Sequence, residues 1–133
     1  MLHRFASASP GLLGLALLGC QSGPNPADDG FAEAVMEVSI PPELDAGSRL
    51  FAENCASCHG SRALGTTDGP PLVHIVYEPS HHGDLAFLLA VERGVRAHHW
   101  SFGDMPPIRG LSREEIAEII AYVRFLQRHV GIA

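Results

Sequence analysis

A chain of 133 residues is long enough for one domain core and too short for two of ordinary size. Hydrophobic residues make up 46% and charged residues 18%, which excludes disorder throughout. The net charge is −6 and none of the nine basic residues is lysine, so a polybasic surface for nucleic acid is excluded and any docking face is expected to be acidic or apolar.

Residues 1–19 carry Arg4, then an apolar stretch through Leu12, Leu13, Leu15, Leu17 and Leu18 with no acidic residue. This is the layout of an export signal, and it is too short to span a bilayer. Its end, Leu17-Leu18-Gly19-Cys20, resembles the lipobox of bacterial lipoproteins, in which Cys20 becomes the lipidated N-terminus; an ordinary signal peptide with an incidental cysteine is the alternative. Residues 20–42 are rich in Gly, Pro, Asn, Ser and Asp and read as a lipid-anchored flexible tether. Within it, Phe31, Val35, Met36 and Val38 leave open a short arm packed on the domain, which is expected over residues 43–133.

Three helices and no strand are predicted there. The first covers Asp45 to Asn54, with Ala46, Leu50 and Phe51 on one face, and runs into Cys55. The second starts with Asp84 as N-cap, groups Leu85, Leu88 and Leu89, and stops at Gly94. The third opens on a capping box, Ser112-Arg113-Glu114-Glu115, and repeats Ile116, Ile119, Ile120, Val123 and Leu126 at helical spacing, with Arg124 and Arg128 placed for the C-terminal dipole. Between them lie two long segments, 60–83 and 95–111, rich in Gly, Pro and His. Loops of that length in a small all-α domain have to wrap something.

Cys55-Ala56-Ser57-Cys58-His59 names the missing core. C-x-x-C-H is the pattern of covalent haem attachment, with two thiols forming thioethers and the histidine placed to ligate iron. A thioredoxin-like redox pair would need a βαβ setting, and a zinc site would need two more ligands at regular spacing. Neither context is present, and an odd count of three cysteines, falling as Cys20 alone and one close pair, does not look like a disulfide framework. The sixth ligand is expected from Gly103-Asp104-Met105-Pro106-Pro107: a thioether is a soft neutral donor, and the two prolines stiffen the loop. Gap-filling in the core is the alternative role for Met105.

From about Asp45 to the end of the last helix the chain resembles the class I c-type cytochromes, close to the small bacterial monohaem members. The resemblance rests on Gly47 and Phe51 leading into the haem motif, on Ile119 and Tyr122 in the last helix, and on Gly69-Pro70-Pro71-Leu72 after the motif. It implies the all-α cytochrome c fold, three main helices and long loops around one covalently bound haem c. It also implies that the Pro70 carbonyl accepts the second ring N–H of His59 and so orients it. Lacking lysine, the chain departs from the lysine-ringed mitochondrial members.

These residues predict a monohaem electron carrier rather than an enzyme. His59 and Met105 are expected as iron ligands, Cys55, Cys58, Pro70 and Trp100 as further haem contacts, and Trp100 as a pocket wall or propionate donor. The protein is expected as a monomer in the bacterial cell envelope, on the periplasmic side, anchored to a membrane through Cys20. It would pass electrons between redox protein partners and take no small-molecule substrate and no nucleic acid. Two rivals stand beside this reading. A haem peroxidase or gas sensor would need a labile sixth site, and a copper- or zinc-binding protein would use His81, His82, His98 and His99. Those histidines, with His74, are otherwise turn residues bonded to backbone or propionates, or one of them replaces Met105 on iron.

Overall fold

A computed structural model describes residues 31–132. The expected export signal and Cys20 lie outside the described residues. Five helices follow in order: α1 (Phe31–Glu37), α2 (Asp45–Asn54), α3 (Ala56–His59), α4 (Asp84–Arg93) and α5 (Arg113–His129), with short 3-10 turns at Pro42–Leu44, Ser61–Ala63 and Ile75–Tyr77. Among the described residues there is no strand, only an isolated bridge between Val95 and Met105. None of these helices is long and apolar enough to cross a membrane.

The centre of the fold is the crossing of α2 and α5. Gly47 of α2 lies against the backbone of α5, where a Cβ would collide with the Glu118 carbonyl oxygen and sit 3.2 Å from the Tyr122 Cβ. Glycine, which costs about 1 kcal/mol within a helix, is what permits this approach. It brings the Phe51 and Tyr122 rings to 5.5 Å between centroids. Around them Ile119, Val123, Leu126 and Val73 are buried in the main core, and α4 adds Val91 to a smaller cluster with Ile116 and Ile120.

The helix ends follow local chemistry in one case and tertiary chemistry in another. On α5 the capping box forms as predicted: Glu115 N–H donates to Ser112 Oγ at 3.2 Å and Ser112 N–H to Glu115 Oε2 at 2.8 Å. On α4 the cap is Gly83, not Asp84, and Leu85 is exposed rather than packed with Leu88. Asp84 instead accepts from Arg124 Nε at 2.8 Å. Arg124, expected to complement the C-terminal dipole of α5, is buried and also donates to the carbonyls of Tyr77 and His82 and to Gln127 Oε1. Three acceptors reached through tertiary structure outweigh the macrodipole at the chain end.

The Asp84 side chain is 69% exposed, so its ion pair contributes about 1 kcal/mol or less. If the guanidinium goes, the His82 carbonyl and Gln127 Oε1 lose this donor, while the Tyr77 carbonyl keeps Gln127 Nε2 at 3.2 Å, and a buried acceptor left unsatisfied costs about 1–3 kcal/mol. Thermal unfolding of the haem-loaded protein is therefore expected to show Arg124→Met clearly less stable and Asp84→Asn almost unchanged.

The N-terminal arm differs from a free tether. Helix α1 buries Val35 in the main core, with Phe31, Val38 and Ile40 packed beside it, and Arg62 Nη1 donates to the Val38 carbonyl at 2.8 Å. Residues 31–42 are thus part of the packed body, which moves the start of ordered structure ahead of residue 43.

Candidate functional site

Helix α2 ends at Asn54, and Cys55, with φ −122° and ψ −34°, is the joint from which the four-residue α3 departs. Cys55 and His59 are four residues apart, so they share a helical face. Both line one cavity of about 370 Å³, whereas Cys58 is exposed. The segment that follows folds back over α3: Gly65 N–H donates to the His59 carbonyl at 2.6 Å and Thr66 Oγ1 to the Cys58 carbonyl at 2.6 Å.

This return brings Pro70 beside His59, with its carbonyl oxygen 2.9 Å from His59 Nδ1. With Nδ1 donating there, Nε2 carries the ring's lone pair. Burial pushes the His59 pKa below the ordinary imidazole value, against the opposing pull of the Pro70 bond, which favours the neutral ring a metal requires. Burial, and then the neighbouring Cys58, push the Cys55 thiol up to about 11. Both cysteines are free thiols and not a disulfide.

The facing wall is the segment after α4. Val95 N–H and Met105 N–H each donate to the other's carbonyl at 2.9 Å, and Ala97 N–H donates to Asp104 Oδ1 at 2.9 Å, closing a tight loop around residues 96–104. Gly94 makes the turn possible. Its φ is +78°, and a Cβ there would sit 2.5 Å from the Met105 carbonyl oxygen and 3.1 Å from Pro107 Cδ. Met105 is held by its own backbone on one side and by prolines on the other, and it lines the same cavity as His59.

The remaining walls are apolar, with Phe51, Phe87, Val91, Ile119, Ile120 and Val123 supplied by α2, α4 and α5. Val95, Phe87 and Phe102 were not singled out from sequence, because nothing in their local pattern distinguishes a cavity wall from ordinary core. Trp100 lines the cavity, and its Nε1 is buried with no acceptor in hydrogen-bond geometry, although the Tyr77 hydroxyl lies near it. An indole N–H usually finds a partner when buried, so an unspent donor in an otherwise apolar wall suits a ligand that brings its own acceptor. Two thiols, an imidazole with a free Nε2, a thioether on the facing loop and that donor fit a haem with its propionates.

The expected histidines gather at one rim of the cavity, where His82, His98 and His99 line it. His82 Nδ1 lies 2.7 Å from the Val76 carbonyl and His98 Nδ1 2.8 Å from that of Arg96, while His74 meets the Trp100 ring edge-on with centroids 4.9 Å apart.

Comparison with known proteins gives a family. The cytochrome c family model matches residues 44–127. The chain is 32% identical over 107 residues to the Cbb3-type cytochrome c oxidase subunit CcoP of Rhodobacter capsulatus, covering 74% of this chain and 35% of that protein. It is also 32% identical over 114 residues to a thiosulfate dehydrogenase of Psychrobacter arcticus, covering 81% of this chain and 33% of that protein. The chain thus spans about a third of the length of these curated relatives. No solved structure matches it. Helical fold, haem motif and family match agree: the chain belongs to the cytochrome c family and its cofactor is haem c, held covalently.

Proposed function

We propose that the chain is a one-electron carrier whose haem iron is held by His59 and Met105, working at the periplasmic face of a bacterial membrane to which Cys20 anchors it. The observation that carries this reading is that His59 and Met105 come from separate segments, each pinned by backbone hydrogen bonds, and line a single cavity. Haem supplies the one-electron couple. The chain contributes an apolar enclosure, a histidine oriented by the Pro70 carbonyl, an indole donor for a propionate, and a methionine loop whose backbone is fixed in advance. With His59 and Met105 both holding the iron, no position on it would be left for a substrate. The relatives named as an oxidase subunit and a dehydrogenase support a redox setting, and redox proteins are the proposed donor and acceptor.

The ferric protein is expected to show the weak far-red charge-transfer band of methionine on haem iron. A ferric spectrum without that band, and unchanged in Met105→Ala, contradicts the carrier and favours the gas-sensor or peroxidase reading.

The membrane arm has its own test. One acyl chain gives only marginal, reversible binding, so more than one chain is expected on Cys20. Cys20→Ala should move the protein from the membrane fraction to the soluble fraction or block its processing. Mass spectrometry that finds a mature N-terminus other than an acylated Cys20 refutes the anchor.

A further inference from the structure

Four histidines on two separate loops meet at the cavity rim, although the electron-transfer reading needs none of them. The rings of His81 and His82 are 4.5 Å apart between centroids, those of His98 and His99 are 4.3 Å apart, and His81 and His99 join the two pairs at 5.2 Å. Each of His81, His82 and His99 offers a ring nitrogen, and these three atoms lie within 4.8 Å of one another. We propose that His81, His82 and His99 form a binding site for one divalent transition metal of the imidazole-preferring class, copper(II) or zinc(II), separate from the haem iron.

Three observations support the site. First, His81 Nε2 and His99 Nε2 are 3.3 Å apart. That is long for an N–H···N hydrogen bond, but a metal held at about 2.0–2.1 Å by tetrahedrally arranged nitrogens sets them about 3.4 Å apart. Second, His82 is oriented in advance. Its Nδ1 faces the Val76 carbonyl at 2.7 Å and its own carbonyl is bonded to the buried Arg124, so its Nε2 is the nitrogen left for a metal. A backbone carbonyl on the far ring nitrogen is how metal-binding histidines are usually fixed in tautomer and direction. Third, His81 and His99 are exposed, so an ion has an entry path and room for water as a further ligand. The donors are neutral nitrogens with no carboxylate among them, which disfavours magnesium and calcium. Of the divalent ions that take imidazole, copper(II) is expected to bind more tightly than zinc(II).

The test uses the haem-loaded protein in a non-coordinating buffer, titrated with copper(II) and in parallel with zinc(II), and read by calorimetry and by the electron paramagnetic resonance of bound copper. One ion per chain is expected, with nitrogen hyperfine structure from three imidazoles. The double variant His81→Gln, His99→Gln should bind at least tenfold more weakly, while His129→Ala, on the last turn of α5, binds as the parent does. Both replaced side chains are exposed, so the fold is expected to survive, and the visible spectrum of the haem reports this directly. Parent protein that takes up no ion, or a double variant that binds as well as the parent, overturns the site. A metal-free double variant with an altered haem ligand spectrum also overturns it, because these imidazoles would then belong to the haem iron.

Discussion

Serine at both Cys55 and Cys58 is expected to leave no haem that survives a denaturing gel, and a domain that does not fold. Each thioether uses one of the two thiols, so either single variant should stain weakly, through one remaining bond. The effect on folding follows from the size of the space the cofactor fills. Without the cofactor the apolar side chains around a space of about 370 Å³ lose their packing and meet water, which removes part of the hydrophobic stabilisation of the fold. A domain of this length has a total stability of only about 5–15 kcal/mol. The main core of α2 and α5 also supplies the cavity walls through Phe51, Ile119 and Val123, so it cannot close independently of the cofactor. Haem staining and far-ultraviolet circular dichroism of the purified variants measure both effects. Undiminished staining in the double variant would end the account of attachment.

The second large effect is at Met105. Methionine favours the ferrous form relative to a second imidazole. Met105→His is therefore expected to keep a six-coordinate spectrum and to lower the reduction potential on the order of 0.2 V, within the ~0.8 V range that axial ligation spans. Met105→Ala should open the iron to small ligands and create weak peroxidase activity. Because Val95 and Met105 are joined through backbone atoms alone, both variants keep the bridge that shapes the loop. His98 and His99 line the same cavity as Met105, so Met105→Ala should be combined with glutamine at both positions before its ligand binding is read. Redox titration of the three proteins gives the result. An unchanged potential in Met105→Ala would mean that the sulfur was never on the iron.

Much of this fold was legible because its signals are local. The capping box at Ser112 and the apolar repeat of α5 act within a few residues, whereas Gly47 entered only through the family resemblance and acts across the chain on α5. The sequence also left open whether residues 31–38 pack, since a seven-residue helix that buries only Val35 has no periodic pattern to detect. Asp84 and Arg124 were misplaced for a related reason. Each was assigned by the dipole or cap of its own helix, and each is instead satisfied by the other across forty residues of chain. The candidate site divides the same way. Cys55, Cys58 and His59 lie in one contiguous motif, and Met105 follows from a loop of unusual stiffness. The Val95 bridge that holds Met105 depends on Gly94 adopting positive φ, and the meeting of His81, His82 and His99 depends on how two loops close. Gly94 and the histidine doublets were visible in the order of residues, the doublets as a candidate copper or zinc site, but the loop closure that brings them together was not.

Carbon monoxide binding to the reduced wild-type protein tests the central claim most directly. The account predicts no binding, or binding limited by slow displacement of the sulfur, with rapid uptake appearing only in Met105→Ala. Rapid uptake by the unaltered protein would contradict it, because the sixth position of the iron would then be open and the chain would belong with ligand-binding haem proteins rather than electron carriers.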